Sequence, residues 1–256
     1  PPWEKVKLSE KEFFAVRAPE IAELVGTKRK TAIEKTREEN PELWVEYQFA
    51  HRQADAESHF IRNSGRYQLC GRGDVNTYAI FAEAMRDALA PTGRLGVIVP
   101  TGIATDDTTK FFFADIISKK QLASLFDFEN AAPVFTGVHR SFKFCLLTIS
   151  GTKKPIEDTE FLFFAHTTSE LSDYERRFTL TPDDLALMNP NTKTSPVFRT
   201  RRDADITKAV YRRVPVFVRE GDPNGNPWGV RYQRMFDMAV DAHQFHTQSE
   251  VQSKAI

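Results

Sequence analysis

The chain has 256 residues, 41% of them hydrophobic and 12% aromatic, enough to bury the core of one large domain or two ordinary ones. Lys and Arg number 35 and Asp and Glu also 35, so net charge argues neither for nor against a polyanionic partner. No apolar run approaches the ~20 residues of a membrane helix, and the opening PPWEKVKLSE lacks the basic start and apolar stretch of a signal peptide. Cys70 and Cys145 form no CxxC or paired pattern, so a cytoplasmic protein with no disulfide framework or zinc site is expected.

Residues 10–24 place Phe13, Phe14, Val16, Ile21 and Leu24 near helical spacing, with Pro19 as a break. The charge-rich stretch from Lys28 to Asn63 predicts two helices, the first stopping at Asn40 and the second opened by Pro41 in its first turn. Trp44, Tyr47, Phe49 and Phe60 give the second an apolar side suited to packing. The loop Cys70-Gly71-Arg72-Gly73-Asp74 has no Gly-Lys-Ser/Thr after it and is not a phosphate loop. Residues 76–90 carry Tyr78, Ile80, Phe81, Ala84, Met85, Ala88 and Leu89 at helical spacing, ended by Pro91-Thr92-Gly93. Residues 93–100, a short apolar run between turn signals, predict a buried strand. A helix over 107–119 with Asp106 and Asp107 as its cap, a strand over 122–128, a turn at 130–133 and a strand over 142–150 follow.

This order gives the fold class as α/β, the second half of an open sheet ending in an antiparallel hairpin. Lys153-Lys154-Pro155 reads as a boundary or edge turn, and residues 161–165 as another strand. Beyond Thr167 the pattern is irregular, with a helix start at 181–184, a turn at 189–192, a short helix over 203–213 and a loop at 222–227. A helical insert over about 9–66 and a second region, 166–256, are therefore expected.

The densest basic stretch, residues 198–213, holds Arg199, Arg201, Arg202, Lys208, Arg212 and Arg213 against Asp203 and Asp205. It suits a solvated helix face or a phosphate-contacting surface. His243 and His246 have helical spacing near Asp237 and Asp241, but no third ligand follows and no metal site is expected. The first three residues are Pro1-Pro2-Trp3. In a complete Asn-Pro-Pro-aromatic motif, the Asn side-chain oxygen and the first proline's carbonyl accept hydrogen bonds from an exocyclic amino group. That localises the nitrogen lone pair for attack on a methyl sulfonium without a strong base. The prolines fix the loop and the aromatic ring stacks on the target base.

Pro1-Pro2-Trp3, Asn76-Thr77-Tyr78-Ala79-Ile80-Phe81, the run Gly93 to Pro100, and Pro133-Val134-Phe135-Thr136-Gly137-Val138-His139-Arg140-Ser141-Phe142-Lys143-Phe144 occur in that order. Together they resemble the fourth to eighth motifs of the gamma-type adenine-N6 DNA methyltransferases, most of all the large single-chain, type IIG-like restriction-modification enzymes. Leu187 to Thr192, Phe198 to Asp203 and Asn226 to Tyr232 extend the resemblance over nearly the whole chain.

The resemblance implies the C-terminal half of a Rossmann-like methyltransferase domain (1–165) and an extension toward a DNA-recognition region (166–256). It implies S-adenosyl-L-methionine as cofactor, double-stranded DNA as partner and a prokaryotic cytoplasm. Pro1, Pro2 and Trp3 would belong to the catalytic loop, and Trp3 and Phe135 would stack on the flipped adenine. Extrusion costs a few kcal/mol and stacking returns ~1–3 kcal/mol per base, so two aromatics are of the right size. Phe81 and Tyr78 match the position that packs on the cofactor's adenine; core packing explains them equally well. His139, Arg140, Arg199, Arg201 and Arg202 are candidates for the DNA backbone, His139 suiting loop packing too. The catalytic Asn would precede Pro1 and the glycine-rich cofactor loop would lie upstream, so these residues alone are expected to be inactive. A methyltransferase acting on protein glutamine and a non-catalytic DNA-binding or scaffolding module are the alternatives.

Overall fold

A computed structural model of the chain describes residues 1–253, in two compact units, Pro1–Val214 and Pro215–Ile256. The first unit begins with a helical segment. The Ser9 side chain caps α1 (Glu10–Arg17), Pro19 restarts the chain as α2 (Pro19–Ala22), and α3 (Thr27–Glu39) stops at Asn40. Asn40 then turns to the next helix, its side chain accepting from Leu43 N at 3.2 Å, with Pro41 in the first turn of α4 (Pro41–Asn63). These four helices close on a small core of Phe13, Phe14, Ile21, Ile33, Leu43 and Tyr47. Phe49 and Phe60, expected on the packing side of α4, are exposed instead; Leu43 and Tyr47 fill that role.

The rest of the unit is a mixed α/β layer. α5 (Thr77–Asp87) is capped by Asn76, followed by β1 (Arg94–Pro100), α6 (Gly102–Thr105), α7 (Lys110–Ser118), β2 (Leu122–Glu129), β3 (Lys143–Ser150) and β4 (Thr159–Ala165). Next come β5 (Phe178–Leu180), α8 (Pro182–Met188) and α9 (Arg201–Tyr211). The strands form one open sheet in the order β1-β3-β2-β4-β5. β3 runs antiparallel to both β1 and β2, so β1 and β2 point the same way, and β4 lies parallel to β2.

The expected β2–β3 hairpin is present, but it does not end the sheet, which continues through β4 to the short antiparallel β5. The strand expected to be buried, β1, is an edge: β3 is its one neighbour among the described strands, and Ile98 is 40% exposed. One face of the sheet, with Val99, Leu125, Cys145, Leu147, Ile149, Phe161 and Phe163, packs on Tyr78, Ala82, Phe112, Phe113 and Ile116 of α5 and α7. On the other face Phe128, Phe144 and Leu162 form a smaller cluster beneath Trp3 and Phe135. β5, α8 and α9 lie beyond the change of pattern at residue 166 but belong to the same compact unit, ion-paired and hydrogen-bonded to one another and to β4.

The second unit holds α10 (Gln248–Ser253), a 3-10 turn at Ala242–Gln244 and several turns, such as Trp228 Nε1 donating to Pro215 O at 3.1 Å. His243 and His246 lie here, and His246 faces Glu250 at 4.0 Å. Among the described residues no group of His, Cys, Asp or Glu is placed to hold a metal ion, and no helix is long and apolar enough to cross a membrane.

Candidate functional site

The Pro1-Pro2-Trp3 segment is tied to the start of α5 by one side chain. Thr77 Oγ1 donates toward Pro2 O at 3.0 Å and accepts from Glu4 N at 3.0 Å, while Thr77 N donates to Glu4 O at 2.9 Å. Val6 N adds a bond to Val75 O at 3.0 Å, and the Lys5 ammonium pairs with Asp74. The first residues thus lie along the loop before α5, with Trp3 directed at the ends of the strands.

Trp3 walls a cleft of about 690 Å³. Pro100 and Thr101 at the end of β1, Asp127 near the end of β2, Phe163 of β4 and Lys143 at the start of β3 line it, with Tyr78 and Asp106 opposite. Because β1, β2 and β4 point the same way, the cleft lies at their carboxyl ends, where open α/β sheets hold their ligands.

Asp127 is the buried charge of this cleft, 1% exposed. Thr101 Oγ1 donates to its Oδ1, and Phe164 N donates to its Oδ2 at 3.0 Å. Burial pushes its carboxyl above the ordinary range, with those two bonds pulling the other way. Phe164 reaches that position at φ +60°, where the β2–β4 register shifts. A bulky residue rarely takes such a φ, at a cost of roughly 1–3 kcal/mol. Two cations lie over the Phe164 ring, Lys143 Nζ at 4.5 Å and the Arg199 guanidinium at 4.4 Å from its centroid. Lys143 also pairs with Glu129 at 3.0 Å, and the His166 and Lys143 bonds hold the Glu129 carboxyl low. Burial, then the Asp106 charge, raises the Tyr78 hydroxyl. Asp106 makes no side-chain capping bond, contrary to its expected role, and turns to the cleft.

Trp3 and Phe135 are brought together. Their ring centroids are 5.6 Å apart at 73°, edge to face, and both touch Phe144, which is stacked on Phe128 at 5.4 Å. A base sandwiched between two rings needs them parallel and about 7 Å apart, twice an optimal carbon contact, so this pair is closed. Phe135 is held by Asn130, which is fully buried: Nδ2 donates to Phe135 O and Val138 O, each at 2.9 Å, and Oδ1 accepts from Phe135 N at 3.1 Å. His139 and Arg140 lie exposed on the same loop, and His139 Nδ1 meets Ser141 Oγ at 2.7 Å.

Other expected residues are not gathered here. Phe81 is 45% exposed on α5 and lies outside the cleft, whereas Tyr78 lines it from within the core. Most of the basic stretch is engaged internally. Arg201 Nε donates to Arg177 O at 3.1 Å, Lys208 pairs with Asp205 at 3.0 Å and Arg212 with Asp184 at 3.1 Å. The side chains of Arg202 and Arg213 have no such partner among the described residues.

Sequence reasoning passed over Thr77, Thr101 and Asp127. The signal for Asp127 was available, since an aspartate inside Leu125-Phe126-Asp127-Phe128 puts a charge in a strand that otherwise reads as core.

No family model matches the chain, and no curated protein does. Among solved structures it is similar to the subject of "Characterization and crystal structure of the type IIG restriction endonuclease BpuSI", with 16% identity and a TM-score of 0.33. The match covers 62% of this chain and 18% of that one.

Proposed function

We propose that the chain is part of a restriction-modification or phage-defence enzyme that methylates the exocyclic N6 of an adenine flipped out of double-stranded DNA. The observation that carries this reading is the cleft at the carboxyl ends of β1, β2 and β4, with Trp3 of the Pro-Pro-aromatic turn as its wall. Trp3 offers a stacking face, Lys143 lines the cleft, and Arg199 shares the Phe164 ring with Lys143, with charge suited to a phosphate. The prolines restrict the turn, and Thr77 fixes it against α5, so the carbonyls beside a bound amine are held in place before the base arrives.

S-adenosyl-L-methionine is the methyl donor in this reading. Tyr78, which lines the cleft, and Phe81, exposed beside it on α5, are the rings offered to its adenine. Opening of the Trp3–Phe135 contact is part of the proposal, because a base enters between the two rings only when they separate.

The test is affinity for a duplex carrying one extrahelical adenine against the same duplex fully paired. Trp3→Ala should weaken binding of the first on the order of tenfold, from a loss of ~1–3 kcal/mol of stacking, and leave the second unchanged. Equal affinities before and after the substitution would set the reading aside.

A further inference from the structure

The geometry points to Asp127 as the residue that selects an amino-bearing ring in the cleft, by accepting a hydrogen bond from the exocyclic amino group. The inference rests on the reading of the cleft as a base site. An ionised carboxyl offers about four lone-pair positions, and the described contacts fill one on each oxygen, from Thr101 Oγ1 and from Phe164 N. One acceptor position per oxygen is left over. Among the described residues no cation is ion-paired with Asp127; Lys143, whose charge reaches it, is engaged by Glu129. A buried carboxylate without a paired cation is costly, and a ligand that brings an N–H donor offsets part of that cost. A ring that presents only a carbonyl or a bare C–H there does not.

The carboxyl is also held still. Thr101 follows directly on β1, and the Phe164 N–H is delivered by the unusual backbone at the β2–β4 register shift. Two elements therefore converge on one side chain in the wall that Trp3 shares, so stacking and amino recognition act on the same ring. Burial already disfavours the charged carboxyl, and an arriving donor favours it, which makes ligand binding and proton release at Asp127 coupled.

The experiment measures binding of the 256-residue protein to duplexes bearing one extrahelical base, either adenine or purine, which differ by the 6-amino group alone. The unaltered protein should prefer adenine about tenfold, the size of one hydrogen bond to a charged group. Asp127→Asn should bring the preference below about twofold. Thr101→Val, which keeps the carboxylate but frees it, should lower the preference part of the way; it stands as the second variant should Asp127→Asn fail to fold. A merely structural role for Asp127 would lower both affinities alike, and a preference retained in both variants would overturn the inference. Equal binding of the two bases by the unaltered protein overturns it while leaving the base site standing. Binding of neither more tightly than a fully paired duplex overturns both.

Discussion

Burial of Asp127 has a sign that can be measured. Its folded-state pKa is raised above the unfolded value, so the native state holds the proton more tightly and stability falls as pH rises through that interval. Asp127→Asn lacks the titration. Its melting temperature relative to the unaltered protein should therefore rise as pH climbs above about 4, the ordinary aspartate value, and a constant offset would show that the carboxyl titrates as it does in the unfolded chain. Glu83 makes a different case. It is 2% exposed and accepts from Leu69 N at 3.0 Å and Cys70 N at 2.8 Å, anchoring the loop before α5. Glu83→Ala strands two backbone donors and should cost about 2–4 kcal/mol in denaturant unfolding. At this scale the sequence singled out Trp3 by its place after two prolines, and the structure puts it on the wall of the cleft. Glu83, Thr77 and Asp127 were opaque, since each takes its meaning from a partner at least thirteen positions away in the chain.

Helices α1 to α4 share a core that does not merge with that of the sheet. Phe14, fully buried at its centre, touches Phe13 at 5.0 Å and Tyr47 at 5.3 Å between ring centroids. Phe14→Ala should cost about 3–5 kcal/mol, and hydrogen exchange should show protection lost in α1–α4 and kept in β2 and β3. The loop from 131 to 142 depends on Asn130 in the same way. Asn130→Ala removes three bonds to Phe135 and Val138, and limited proteolysis should then cut that loop faster with the sheet intact. The elements with local signals were legible: Asn40 and Pro41 stop one helix and start the next, and α5 is capped by Asn76. The edge position of β1 was not, because an apolar run does not record which strands lie beside it, and three residues make β5 too short to show a period.

Across the molecule, the two cysteines report on different parts of one core. Cys70 lies in the loop before α5 and Cys145 in β3, and burial pushes both thiols well above the ordinary range. Neither should react with an alkylating reagent in the native protein. Both should be modified in parallel with the loss of the sheet when denaturant is added, as read by mass spectrometry; early modification of Cys70 alone would show that its loop opens by itself. The α/β class was readable from the sequence of elements, whereas the placement of β3 between β1 and β2 is a long-range choice that only the structure records.

Under the proposed function, the closed contact between Trp3 and Phe135 sets a threshold on what can stack between the two rings. Aromatic pairs of this kind are worth about 0.5–1.5 kcal/mol, and that energy is surrendered when the rings part. Under the proposed function, an incoming base must return more stacking than the two side chains give each other. A purine, with two fused rings, has the face to do so; a pyrimidine has less to offer. Ring size would thereby be screened where Trp3 meets Phe135.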